Sequence, residues 1–405
     1  MNPAEAAAAS RFLNPTEASD KFILNLGPSH PAMHGILKNV VELDGERIVA
    51  LNSEIGFCHR SFEKLAESYS YNQVITITDR MNYISSPANN VAWVLAVEHM
   101  MGIVVPKRVQ YVRVIFLELS RIMDHLVSMG ILGVDLGAYT GFLYFFQQRE
   151  KIYKVIENMT GARLTTTFGR VGGLERDLPK SFKKDIYEFL DGFPAILSDF
   201  HKLLTRNRIF MDRTRGVSKI SAEKALSYGF TGPNLRATGY EWDVRKVYPY
   251  SSYEEFDFEI PVGADGDVYD RYLVRMEEMA QSMKIVKQAI DNLPEGPYRA
   301  DAPKVVLPLK RDVYSNMEAM ITHFKIIMHG IEPPVGEFYS SIESPNGELG
   351  VYIVSDGTSN PYRVHWRRPC FYFYNSICEL IEGGLIADAV ACISSINVIA
   401  GELDC

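Results

Sequence analysis

The stretch Asn25-Leu-Gly-Pro-Ser-His-Pro-Ala-Met-His-Gly35 sets two histidines four residues apart, His30 and His34, in a segment that cannot be regular. Gly27, Pro28, Pro31 and Gly35 exclude a helix, because proline lacks the amide donor and glycine frees the backbone. The stretch is therefore a loop, and its flanks are strand-like. Lys21 to Leu26 alternates before it, and Ile36 to Leu43, Asp44-Gly45 and Arg47 to Leu51 read as a hairpin after it. Imidazole titrates near neutrality, so histidines on a loop beside a hairpin are suited to delivering protons. The same residues also fit a plain turn with solvated histidines.

Downstream the period lengthens to that of helices. Glu54-Ile-Gly-Phe-Cys-His-Arg-Ser-Phe-Glu-Lys-Leu65 ends a strand at Gly56 and opens a helix crowded with His59, Arg60, Glu63 and Lys64. Asp79-Arg-Met-Asn-Tyr83 leads into an apolar helix over 89–101, and Tyr83, taken alone, reads as a core tyrosine with one hydrogen bond. Val112, Ile115, Leu119, Ile122 and Leu126 stripe a helix over 109–130, on which Glu118, Arg121 and His125 share the adjoining face. Asp135 then falls near the start of a helix running to about Thr160, where N-capping would explain a carboxylate adequately. Gly161 to Gly173 is a glycine-rich link containing Arg163 and Arg170 without the Gly-Lys-Ser/Thr ending of a phosphate loop. Helices are predicted over 179–205, 267–292 and 312–329. Beyond Pro333-Pro334 the period is two over 335–342, 349–354 and 362–366, and the tail from Asp388 returns to helix.

This order predicts a flexible tail over 1–20, an N-terminal α/β lobe over 21–70, a helical bundle over 71–330, and a C-terminal antiparallel lobe with a terminal helix over 331–405. The fold class is α+β, mainly α. At 405 residues the chain exceeds what one core supports, and its 47% apolar and 23% charged residues are ordinary globular values. A net charge of -8 with no basic stripe argues against nucleic acid. The N-terminus lacks the charged and apolar regions of a secretory signal. Leu126 to Phe146 is apolar enough to suggest a membrane span, but Asp135 and its glycines favour a buried helix-turn-helix. Five scattered cysteines, Cys58, Cys370, Cys378, Cys392 and Cys405, with no C-x-x-C pair, suit a reducing compartment and leave no ligand set for a metal or cluster in this chain.

Taken together, these segments resemble the D, or 49-kilodalton, subunit family of respiratory complex I, the proton-pumping NADH:quinone oxidoreductase. The resemblance covers nearly everything after residue 20. It rests on Gly27 to Gly35, His59-Arg60 with Glu63-Lys64, Asp79 to Tyr83, Glu118-Leu-Ser-Arg121 with His125, Gly172-Gly173, Arg236-Ala-Thr-Gly239, Asp243-Val-Arg-Lys246, Tyr248-Pro-Tyr250 and Val354-Ser-Asp-Gly-Thr358. That family shares its fold with the large subunit of nickel-iron hydrogenases, here with the metal ligands gone, since Cys58 stands alone and Asn397 to Glu402 offers no thiol pair. The resemblance implies a quinone site in the vacated cavity. His34 and Tyr83 match the headgroup-binding positions, and Asp135 matches the carboxylate paired with the histidine. Arg60 and Arg163 match positions near the terminal [4Fe-4S] cluster of the neighbouring B subunit. It further implies the C and I subunits and the membrane-embedded H subunit as partners, with the chain peripheral on the cytoplasmic face of the bacterial inner membrane. Thr165 stands where many relatives place a cluster-side histidine, which implies a low, nearly pH-independent cluster potential and so menaquinone. Cys405 stands where relatives often end in arginine. Two alternatives remain open: the equivalent component of a ferredoxin-fed enzyme, or a scaffold without catalytic groups, which would need none of His34, Tyr83 and Asp135.

Overall fold

The structure is a computed structural model that describes residues 21–405, so the tail expected over 1–20 lies outside the described residues. The fold is mainly helical with small antiparallel sheets. β1 (Phe22–Leu26), β2 (Lys38–Asp44) and β3 (Arg47–Glu54) form the first sheet in that order, with the histidine loop spanning β1 to β2. The hairpin turns through Gly45 and Glu46, and a bulge at Glu42/Leu43 increases its twist.

Five long helices follow whose chemistry fixes their depth. α1 (Ser86–Met101) is mostly apolar and almost wholly buried, its polar Asn89, Asn90 and Glu98 included. α2 (Lys107–Asp135) is buried on all its faces from Tyr111 to Gly130 and is the axis against which α3 (Tyr139–Thr160) and α5 (Val268–Asp291) pack; α4 (Phe182–Phe200) lies on α3. Residues 126–146 are thus a helical hairpin, and no helix of the described residues is long and apolar enough to cross a membrane.

Here the boundaries differ from those expected. Gly130 and Gly133 do not end α2; a side chain at Gly130 would press on the Phe142 ring at 3.3 Å, so glycine admits a neighbouring helix there. The break falls at Gly137, with φ of 89°. Asp135 is consequently the last residue of α2, not an N-cap of α3, and sits where the helix dipole disfavours a carboxylate. The helix expected over 312–329 is cut at Asn316, whose extended backbone lets its side chain cap α6 (Met317–Met328) at 2.8 Å from the Glu318 amide. β4 (Gly336–Ser344), β5 (Gly347–Ser355) and β6 (Arg363–Arg367) form the second sheet. α7 (Ile386–Ile396) ends at Asn397, left-handed at φ 55°, so the terminal helix is not continuous.

Neither apolar core keeps to one stretch of chain. One gathers the helices with Ile342, Val351 and Trp366 of the second sheet; the other packs Met33, Val41 and Ile48 against Phe373, Ile377, Ile393 and Ile396. The N-terminal sheet is therefore held by the C-terminal helices. Ile48 exchanges backbone bonds with Gly383 and Gly384, each at 2.9 Å.

Between α2, α5 and β4 lies a fully buried ionic network. Arg236 meets Glu343 at 2.8 Å and, through Nε, Glu278 at 3.0 Å; Arg245 meets Asp243 at 2.6 Å and Glu118 at 3.1 Å. His125 lies 2.7 Å from Glu278, and Arg121 bonds Glu118 at 3.3 Å and the Glu343 carbonyl at 2.7 Å. The face shared by Glu118, Arg121 and His125 is thus satisfied from other helices as well as from within. Burial and the neighbouring Asp243 push the Glu343 carboxyl up, so it is the acid of this group that most readily keeps a proton.

Candidate functional site

Each predicted site residue is placed by a different local device. His34 follows a single turn, Pro31–Met33, and closes it in the left-handed region at φ 52°. Met33 is fully buried beneath the turn, and Gly27 approaches the Leu37 carbonyl so closely that a Cβ would lie 1.9 Å from the oxygen. That contact demands glycine. Tyr83 stands on the turn before α1, where the Asn82 side chain accepts from the Ile84 amide at 3.2 Å and donates to Asp124 at 3.1 Å. Asn82 points inward and Tyr83 outward, 41% exposed, so it is not the core tyrosine its surroundings suggest. Asp135 ends α2 and accepts a hydrogen bond from the Ser394 hydroxyl.

These three side chains line one cavity of about 680 Å³, larger than the clefts of about 270 Å³ beside 170–175 and about 500 Å³ beside 297–309. Its wall is mainly apolar: Ile36, Ile84, Val127, Ile131, Phe142, Phe146 and Ile399 contribute. Burial lowers the His34 pKa while Asp135 and the Val398 backbone raise it. Burial raises that of Asp135, opposed by Ser394 and His34. The Nε2 of His34 is buried with no hydrogen-bond partner among the described residues. When the ring carries a proton on Nε2, as it must when charged, that nitrogen is a donor without an acceptor. Burial also raises the Tyr83 phenol, which stays protonated at neutral pH and able to donate.

Arg60 and Arg163 do not join this cavity. Arg60 is exposed beyond the turn in which the Asp404 carboxylate accepts from the Gly56 and Cys58 amides at 2.9 and 2.7 Å. Arg163 pairs at the surface with Glu150 at 2.6 Å and Glu157 at 3.5 Å. Sequence reasoning missed Ser394, Asn397 and Arg149, all on the cavity wall. Arg149 was findable, because Tyr139, Phe142, Phe146 and Arg149 recur at three and four along α3. Among the described residues no cluster of three or more histidine, cysteine or acidic side chains stands ready to hold a metal.

Asp79, which opens the motif ending at Tyr83, is a further buried acid, to which the sequence reading gave no role. Its Oδ2 accepts from the Thr167 amide at 3.2 Å, and its Oδ1 is buried without a partner among the described residues. Burial raises its pKa to about 7 against the Thr167 amide, Arg80 and Arg170, which favour the anion. An unfolded aspartate titrates near about 3.9. Between those values the folded chain holds a proton that the unfolded chain has lost, so this group's contribution to stability falls as pH rises through that window. Asp79→Asn, which keeps an acceptor for Thr167, is expected to flatten the slope and to melt higher than the parent at pH 8. Thermal melting across pH 5 to 8 checks this, and an unchanged slope refutes it.

Residues 135–405 match the family described as respiratory-chain NADH dehydrogenase, 49 Kd subunit. A protein of Leptospira biflexa, named as the D subunit of NADH-quinone oxidoreductase, is 59% identical over 383 residues, 95% of this chain and 94% of that one. The Cytophaga hutchinsonii protein named as the second D subunit of NADH-quinone oxidoreductase is 56% identical over 94% of this chain and 98% of its own. In Bdellovibrio bacteriovorus a protein named as the C/D subunit of NADH-quinone oxidoreductase is 48% identical over 95% of this chain and 69% of its own length. A mainly helical fold with these matches defines the class, one component of a multisubunit oxidoreductase. Within it, the chain belongs to the 49-kilodalton subunit family of the respiratory-chain NADH dehydrogenase, the D subunit of bacterial complex I.

Proposed function

We propose that this chain forms the quinone-reducing site of complex I. Electrons come from the terminal [4Fe-4S] cluster of the neighbouring B subunit, with Arg60 and Arg163 on the cluster's side. The observation that carries the proposal is the mainly apolar cavity on which His34, Tyr83 and Asp135 converge. Reducing a quinone to a quinol takes two electrons and two protons, and negative charge develops on both ring oxygens. Tyr83 donates to one ring oxygen and His34 to the other; Asp135 holds the imidazole's proton and orientation. The apolar wall shelters the ring and the first part of its tail from water. Thr165, which carries no charge, favours a low-potential acceptor and so menaquinone. The names of the relatives support an NADH-fed machine, and the C/D name on one polypeptide supports the C subunit as a neighbour. The B, I and H subunits complete the surroundings, holding the chain peripherally on the cytoplasmic face of the inner membrane and coupling it to proton translocation.

The test is Tyr83→Phe in the assembled complex. Loss of one hydrogen bond to a charged oxygen, worth about 1.5–3 kcal/mol, is expected to slow quinone reduction at least tenfold. Electron transfer from NADH to a hydrophilic artificial acceptor is expected to be unchanged. Normal quinone reduction would remove the ring from Tyr83.

A further inference from the structure

Arg149 is the one charged side chain other than Asp135 and the titratable His34 on the cavity wall, and the quinone-site proposal leaves it without a role. Its guanidinium rests on two rings of its own helix, 5.3 Å from the centroid of Phe146 and 4.7 Å from that of Tyr153. Such stacking holds a planar cation in one orientation. It forms no ion pair among the described residues. The nearest acids in sequence are already taken, Glu150 at 2.6 Å and Glu157 at 3.5 Å by Arg163. The Nε of Arg149 is buried with no hydrogen-bond partner among the described residues. Nε itself is out of a ligand's reach, but the half-buried side chain stands on the cavity wall with no ion pair among the described residues, and a bound molecule there can supply an acceptor to the rest of the guanidinium.

Position along the helix says where. α3 begins at Tyr139, just past Asp135, and a rise of 1.5 Å per residue puts Arg149 about 15 Å further along the same wall. Tyr139, Phe142 and Phe146 lie between on the same stripe, so the cavity is a slot with an acid at one end, a cation at the other and aromatic rings between. A flat apolar ring carrying acceptor oxygens suits that wall, which offers rings to pack on and charged groups at its ends.

We propose that Arg149 is a substrate-positioning residue whose guanidinium donates to the ring oxygen that Tyr83 also meets and fixes the depth at which the ring sits. This rests on the quinone-site reading. The test uses the assembled complex carrying Arg149→Leu and Arg149→Lys, assayed with a short-tailed menaquinone analogue. Arg149→Leu is expected to raise KM at least tenfold while kcat falls less, with NADH oxidation by a hydrophilic acceptor unchanged. Arg149→Lys, which keeps the charge and loses the fork, is expected to recover part of the KM. Unchanged KM in Arg149→Leu overturns the proposal, as does equal impairment in both variants, which marks packing against Phe146 and Tyr153. Failure of both variants to assemble also overturns it, marking a contact to another chain of the complex. The two readings fail separately. An impaired Tyr83→Phe with a normal Arg149→Leu removes only the arginine, and the reverse moves the ring away from Tyr83 alone.

Discussion

Replacing Arg236 with methionine is expected to stop the chain from accumulating in the assembled complex. The guanidinium is fully buried and meets Glu278, Glu343 and the Trp242 carbonyl, and Asp243 lies 3.5 Å away. Methionine fills similar volume, so the loss is one of charge. Three guanidiniums, Arg121, Arg236 and Arg245, face four acids, Glu118, Asp243, Glu278 and Glu343, of which Glu343 most readily keeps a proton, and without Arg236 two guanidiniums are left against three buried carboxylates. Breaking a buried pair from one side costs about 3–5 kcal/mol, a large part of the roughly 5–15 kcal/mol that keeps a domain folded. Replacing both partners with uncharged groups costs less, so adding Glu278→Gln to Arg236→Met is expected to recover part of the yield. The measurement is the chain's abundance in purified complex and its resistance to protease. Normal abundance of the single variant would mean that Glu343 and Glu278 take up protons without cost, and the network would then be dispensable for folding.

The network also shows where sequence reading reaches its limit. The apolar stripe of α2 is plain in the sequence, and so is the face bearing Glu118, Arg121 and His125, because both follow from a 3.6-residue period. The partners on that face, Arg245, Glu278 and Glu343, come from segments over a hundred residues away, and no local period encodes them. Glycines misled for a related reason. Gly130 looks like a terminator until a ring from the next helix is seen against it, whereas Gly137, which does terminate α2, has a left-handed backbone. At the site, each of His34, Tyr83 and Asp135 has a plain structural explanation in isolation, and it is the resemblance to a family that selects them together. What folding adds is convergence on one cavity, where the stripe of Tyr139, Phe142, Phe146 and Arg149, legible by its helical spacing, turns out to form part of the wall.

Asp135→Asn is expected to lower quinone reduction at neutral pH by about a hundredfold, the lower range of what a positioned acid contributes. Asparagine keeps the shape and a hydrogen bond from Ser394, and it removes the charge. Burial alone draws the His34 pKa down, and Asp135 is the largest influence raising it. Without that charge the imidazole loses its proton at a lower pH, so less of it is charged at pH 7 and the ring oxygen meets a poorer donor. The sign is definite. The acid-side activity is expected to survive better than the neutral, with the optimum moving to lower pH and part of the rate returning near pH 6. Asp135 itself, at the negative end of α2 and buried, is held from ionising freely, so the pair exchanges a proton between two groups each displaced toward the other. Activity measured from pH 5.5 to 8.5 against His34→Gln separates the roles. If the carboxylate acts through the histidine, the double variant is no worse than His34→Gln alone. An additive loss, or an Asp135→Asn profile that falls uniformly without shifting, would mean that the carboxylate acts directly on the ring or only shapes the cavity.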